Sequence, residues 1–175
     1  MSAPPQTWAD FDEFFRQNLA ALQGFVIKNG FSREEAADAA QEAMVRACHS
    51  WDYISAPRAW VYRVALRSAV AAAARHDDGI RRAVAGGWAI TSEHAATDQL
   101  AVIDERPLVE VLLAKLPTRQ RTVLAWHLEG FEIDEIAELM EMKPATVRST
   151  LRHARRRLQR ERALAAHRGG AVDVD

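Results

Sequence analysis

The sequence predicts an all-α protein: two small helical domains joined by a flexible linker. Three observations lead there. Apolar residues recur at spacings of three and four along most of the chain, and no alternating strand pattern runs beyond a few residues. Helix start and stop signals bracket the periodic segments. A glycine-containing stretch with no shared apolar face interrupts the rhythm near the middle.

Trp8, Phe11, Phe15, Leu19, Leu22 and Val26 form one apolar stripe and predict a first helix. Ser32 followed by Glu35 is a capping box, because the hydroxyl and the carboxylate can each satisfy an orphan backbone N–H. The helix it opens runs through Ala36, Ala40, Met44 and Ala47. Pro57 suits a first-turn position, and a third helix follows through Trp60, Val61, Val64, Leu66 and Ala69 to about residue 75, with Trp60 at core spacing from Val64. Residues 76–98, with Gly79, Gly86 and Gly87, read as a linker. Periodicity resumes at Leu108, Val111, Leu112 and Leu116 and stops at Pro117. Further helices are expected over 119–128, ending at Gly130, then over 133–140 and over 144 to about 162. The two domains hold roughly 75 and 65 residues, sizes at which stability is marginal.

The net charge of −1 conceals an asymmetry. Arg148, Arg152, Arg155, Arg156, Arg157, Arg160, Arg162 and Arg168 crowd the end of the chain, whereas Asp10, Asp12, Glu13, Glu34, Glu35, Asp38 and Glu42 lie early. A neutral chain with one basic segment points to a local anion-binding surface. The single cysteine, Cys48, excludes an internal disulfide and fits a reducing compartment. No apolar run approaches the ~20 residues of a membrane span, and MSAPPQTW lacks the pattern of a signal peptide. No membrane insertion and a cytoplasmic location are therefore expected.

The last two helices are separated only by Glu141, Met142 and Lys143, the spacing of a helix-turn-helix. Ile136, Ala137 and Met140 would face Met142, Val147 and Leu151, leaving Arg148, Ser149, Arg152, His153, Arg155 and Arg156 outward. Arginine can pair bidentately with guanine, and serine or histidine can donate or accept, so this face suits a major groove. Arginines further along suit phosphates. Arginines that merely offset the helix macrodipole would gather at the C-terminal end, whereas these begin in the first turn. Lys143 and Thr146, beside the helix start, complete the expected DNA-contacting set. Cys48 beside His49, and His76, His94, His127, His153 and His167, lack metal-ligand spacing, and no phosphate loop or nucleophile triad stands out. No cofactor, metal or catalytic residue is expected; His127 reads as packing or solvated.

LPTRQRTVLAWHLEGFEIDEIAELMEMKPATVRSTLRHARRRL, residues 116–158, resembles region 4 of bacterial RNA polymerase sigma factors of the extracytoplasmic-function (ECF) group. AADAAQEAMVRACHSWDYISAPRAWVYRVALRSAV, residues 36–70, resembles region 2 of the same group. The resemblance implies a region 2 domain over 1–78, a linker over 79–104, a region 4 domain over 105–166 and a tail over 167–175. It implies core RNA polymerase, promoter DNA and an anti-sigma factor as partners. It implies a polymerase-docking face at Asp38, Gln41, Glu42 and Arg46, where Asp38 and Glu42 repel each other until a basic partner arrives. It also implies −10 contacts within residues 51–75, with Arg58, Arg63, Arg67 and Arg75 on the DNA backbone. The chain departs from the family at Arg67 and Ala71, where asparagine and aspartate are usual, at Glu141, where the turn has glycine, and at Lys143, where a serine caps the recognition helix. The alternative is a helix-turn-helix regulator that binds DNA without polymerase.

Overall fold

The computed structural model describes residues 8–76 and 108–169, with the side chains of 9–75 and 109–164. The predicted linker at 79–104 lies outside the described residues, as does the end of the tail. Among the described residues every regular element is helical: α1 (Trp8–Lys28), α2 (Arg33–His49), a one-turn 3-10 helix (Trp51–Tyr53), α3 (Pro57–His76), α4 (Leu108–Ala114), α5 (Thr118–Leu128), α6 (Ile133–Leu139) and α7 (Pro144–Gly169). The chain divides into two compact units, one built on α1 to α3 and one on α4 to α7.

In the first unit the capping box forms as the sequence predicts. The Glu35 backbone N–H donates to Ser32 Oγ at 3.2 Å, and the Ser32 N–H donates to Glu35 Oε2 at 2.7 Å. Helix α2 buries Ala36, Ala39, Ala40, Ala43, Met44 and Ala47. Five alanines leave room for larger side chains from α3, which buries Val61, Tyr62, Ala65, Leu66 and Ala69. Helix α1 adds Leu22, Phe25 and Val26, with the Phe25 ring 5.0 Å from that of Tyr62. Trp51, in the 3-10 turn, lies 5.1 Å from both Phe11 and Phe14.

One core expectation is corrected here. Trp60 and Val64 are only half-buried, and Tyr62 is the aromatic residue of α3 in the core. Two positions along a 3.6-residue turn place Trp60 and Tyr62 on nearly opposite sides of the helix. Tyr62, adjacent to Val61 and one turn before Leu66, belongs to the buried side.

The second unit is held by Val123, Leu124, Ala125 and Trp126 of α5, Phe131, Ile136 and Ala137 of α6 and its approach, and Val147, Leu151 and Ala154 of α7. Helix α5 ends in a Schellman motif: the Phe131 N–H reaches Trp126 O at 3.3 Å and the Gly130 N–H reaches His127 O at 3.0 Å. Gly130 supplies the required positive φ, +83°. The apolar contact that usually accompanies this motif is present, with the Phe131 ring edge-on to Trp126 at 4.8 Å. Helix α6 begins with the Glu132 N–H bonded to Glu135 Oε2 at 2.8 Å, so glutamate takes the first place of this cap rather than serine.

Among the described residues Arg121 is the buried charge of this unit, 5% exposed. Its Nε donates to Leu113 O at 3.1 Å, and its terminal nitrogen Nη2 donates to Ala114 O and Leu116 O at 3.3 and 3.0 Å. These carbonyls lie at and just beyond the C-terminal end of α4, where orphan acceptors and the negative end of the macrodipole coincide. Burial lowers the guanidinium pKa from the usual arginine value, but arginine stays protonated in proteins, so a carbonyl cluster is the partner it needs.

Helix α6 ends on the position where the sequence departs from glycine. The Met142 N–H reaches Ala137 O at 2.8 Å and the Glu141 N–H reaches Glu138 O at 3.2 Å, a second Schellman motif. Glu141 sits at φ +53° and is the one non-glycine residue with positive φ among the described residues. A left-handed conformation costs a residue with a Cβ about 1 kcal/mol or more. We therefore expect Glu141→Gly to raise the unfolding free energy by about 0.5–1 kcal/mol, the relieved strain outweighing the added entropy of the unfolded chain. Denaturant unfolding of the two proteins measures it; an unchanged or lowered midpoint would show that the turn carries no strain.

Candidate nucleic-acid interface

Helix α7 starts directly after the α6 turn, with Pro144 in the first helical position, where a missing N–H is harmless. The Lys143 carbonyl accepts from the Thr146 and Val147 amides at 2.8 and 3.1 Å. The helix runs to Gly169, further than the expected end near residue 162. Val147, Leu151 and Ala154 are buried and fix its rotation about its own axis. The opposite side is therefore set as well: Arg148, Ser149, Arg152, His153 and Arg156 are all exposed. Arg148, Arg152 and Arg156 follow one another at four-residue spacing, and Arg160 extends the same line.

Two polar side chains of the expected set are partly committed to the backbone. Ser149 Oγ donates to Thr146 O at 2.9 Å, so in this geometry the hydroxyl presents acceptor lone pairs outward. Thr146 is half-buried, and its carbonyl also takes the Thr150 hydroxyl at 2.8 Å. Lys143 is exposed beside the helix start. Arg155, although exposed, does not join the line of the other arginines. Its terminal nitrogen Nη2 lies 2.8 Å from His127 Nε2, across on α5. The reading of His127 as merely packed or solvated missed this hydrogen bond.

In the first unit Asp38, Gln41, Glu42 and Arg46 are exposed on α2, on the side away from the alanine stripe. Arg46 pairs with Glu42 one turn earlier, so Glu42 already has a basic partner inside the helix. Such exposed i,i+4 pairs contribute only about 0.3–0.5 kcal/mol and yield readily to a better partner. Val45, 49% exposed, lies among these residues. It was legible in the sequence as the apolar residue off the Ala36–Ala40–Met44–Ala47 stripe.

On α3 the structure brings together three of the four expected arginines. Arg67 and Arg75 are exposed and Arg63 half-buried, on the outward side that also carries Trp60. Arg58 lies on the other side, with its guanidinium carbon 5.4 Å from the Tyr62 ring centroid in a cation–π contact. Tyr53, 90% exposed, was not singled out from the sequence. It stands on the 3-10 turn between Trp51 and Ile54, which are both buried, so the ring is presented from an anchored platform. An exposed aromatic ring can stack on an unpaired base. Among the described residues no three His, Cys, Asp or Glu side chains cluster as metal ligands, and no helix is long and apolar enough to cross a membrane.

Comparison with known proteins covers both units. Residues 14–78 match sigma-70 region 2, and residues 107–158 match sigma-70 region 4. The chain is 29% identical over 155 residues to the ECF RNA polymerase sigma factor SigM of Mycobacterium tuberculosis, in two strains, covering 86% of this chain and 76% of the relative. It resembles the solved structure of CnrH in complex with the cytosolic domain of CnrY, with TM-score 0.62 and 20% identity, over 90% of each chain. It also resembles RpoE in complex with the anti-sigma factor NepR from Bartonella quintana, with TM-score 0.64 and 20% identity, over 86% of this chain and 95% of that one. At 20% identity these two likenesses speak to the fold.

Proposed function

Since the chain belongs to the sigma-70 family of RNA polymerase sigma factors, in its extracytoplasmic-function group, we propose that it docks on core polymerase through α2 and reads promoter DNA with α3 and α7. Sigma factors are initiation factors without chemistry of their own, so the catalytic groups belong to the polymerase. The observation that carries the reading is the line of Arg148, Arg152 and Arg156 on the exposed side of a helix whose other side is buried. No carboxylate on that side of α7 offsets these charges, and a phosphate backbone does. Residues 1–78 would serve as the region 2 domain, 79–104 as linker, 105–166 as the region 4 domain and 167–175 as tail. The site of action would be the cytoplasm, with the polymerase.

Asp38, Gln41 and Glu42 form the docking face in this reading, with Val45 as its apolar centre and Arg46 as the cation that releases Glu42. Charge reversal at Asp38 and Glu42 is expected to abolish co-purification with core polymerase and run-off transcription while leaving helicity unchanged. Transcription by the doubly reversed protein at the unmodified level would remove α2 as the docking face. A chain that binds its DNA yet never supports run-off transcription with core enzyme would favour the regulator reading instead.

Helix α7 would lie in the major groove of a −35 element, with Arg148, Ser149, Arg152 and His153 near base edges and Arg156 on phosphate. Ser149 in its observed geometry would accept from cytosine N4 or adenine N6. Losing a base-reading arginine should cost about 1–3 kcal/mol and relax the preference at one base position. Losing Arg156 should weaken binding to all sequences alike and flatten the log–log salt dependence by about 0.9. Salt titrations of Arg148→Ala, Arg152→Ala and Arg156→Ala on a matched and a scrambled promoter separate the roles. Equal losses on both duplexes for Arg148→Ala and Arg152→Ala would mean that the helix grips DNA without reading it.

The two solved structures described above are complexes with a second protein, in one case with an anti-sigma factor by name. An anti-sigma factor is likewise the expected regulator of this chain. Affinity capture from uninduced host cells should recover it; recovery of polymerase subunits alone would speak for transcriptional control instead.

A further inference from the structure

The hydrogen bond between Arg155 and His127 joins the recognition helix to a helix that carries no expected DNA contact. Arg155 is always protonated and can only donate, so His127 Nε2 accepts and the ring is neutral, with its proton on Nδ1. The 2.8 Å separation is that of a well-formed bond. His127 Nδ1 is shielded from solvent and has no hydrogen-bond partner among the described residues, so Arg155 is the ring's polar anchor. His127 is itself half-buried on α5, the helix whose Val123 to Trp126 run forms the core of this unit. The acceptor is therefore fixed by the packed interior.

The consequence concerns where the Arg155 charge sits. Arg148, Arg152 and Arg156 run along one line of α7, whereas Arg155 lies one position off that line, toward α5. Bonding to His127 draws its guanidinium sideways, widening the basic surface from a line to a band. A helix in a major groove about 12 Å wide is flanked by phosphates on both walls, and a laterally held arginine meets a wall rather than the floor. An arginine loses much rotamer freedom when a phosphate immobilises it, and a side chain already held loses less. Only one or two of its five N–H donors face His127, so the rest stay available.

We propose that His127 is a positioning residue for DNA binding, holding the Arg155 guanidinium at the flank of α7 to receive a backbone phosphate. This rests on the DNA-binding reading of α7 given above. His127 need not touch DNA.

The test is a double-mutant cycle on the full-length chain, with affinity for a fixed random-sequence duplex measured across a salt series. Thermal unfolding of each variant confirms that it is folded. His127→Leu, which removes the acceptor, should weaken binding about 3- to 10-fold, the equivalent of one side chain left to be ordered on binding. His127→Gln, whose amide oxygen can accept the same bond, should recover binding to within about 2-fold. Arg155→Ala should flatten the salt dependence by about 0.9 in the parent and should cost less affinity in the His127→Leu background. Equal costs in both backgrounds, or a His127→Gln variant as weak as His127→Leu, would overturn the positioning role. If Arg155→Ala is silent while Arg148→Ala and Arg152→Ala weaken binding, that role falls and the DNA-binding reading stands. If all three are silent, both fall.

Discussion

Helix α6 is short, and the way it stops governs the surface that follows. Its last carbonyls are satisfied by the Glu141 and Met142 amides, a pattern that requires one residue in the left-handed region. With Met142 tied back to Ala137, only Lys143 separates the end of one helix from the Pro144 start of the next. The position of α7 relative to α6 is thus dictated by backbone hydrogen bonds, and its rotation by the burial of Val147, Leu151 and Ala154. The arginine line inherits its direction from these two constraints. A glutamate in place of glycine does not change the geometry; it makes that geometry about 1 kcal/mol more expensive to hold.

The same side chain type has opposite tasks in this unit, and the local electrostatics decide which. Arg121 meets carbonyls of Leu113, Ala114 and Leu116, the negative end of a helix, and its charge is used inside the protein. Replacing it by an apolar residue would leave acceptors at the end of α4 without that donor, which costs more than the bonds are worth while made. Arg148, Arg152 and Arg156 meet no such acceptor on their own helix face. Their side chains are exposed, and in the proposed reading an external anion answers their charge. Arg155 lies between these cases, bonded to a neutral imidazole that orients the guanidinium without neutralising it.

Much of this was legible in the sequence because it depends on neighbours close along the chain. The Ser32–Glu35 cap, the glycine stop after α5, the apolar stripes and the turn at Glu141 are all determined within a few residues. The exposed face of α7 followed once that turn was identified. What escaped depends on partners distant in sequence or on a small angular difference. Trp60 and Tyr62 are equally suited to a core, and only the packing of Phe25 and the alanine face of α2 selects Tyr62. Arg58 reads as one more basic residue until Tyr62 is seen beneath it. Arg121 sits in a run of polar residues, and nothing local shows that the end of α4 folds over it. The His127–Arg155 bond joins residues 28 positions apart and has no periodic signature.

The line of arginines also explains why α7 needs the core it has. Residues four apart on a helix are neighbours, and each like-charged pair destabilises by about 0.2–0.5 kcal/mol. Arg148, Arg152, Arg156 and Arg160 make such pairs in succession, so the repulsion along this line opposes the helix. Val147, Leu151 and Ala154 offset that cost in the first half, where burial of a single large apolar side chain contributes about 1.5–3 kcal/mol. Beyond them Leu158 is only half-buried, and Gln159, Arg160, Arg162 and Leu164 are exposed. An anion that neutralises the line therefore removes a repulsion as well as adding an attraction. By linkage, whatever binds the ordered helix more tightly than the frayed one also orders it. In the proposed reading, phosphate binding and the stability of α7 are therefore coupled, and most strongly past Ala154, where burial falls away.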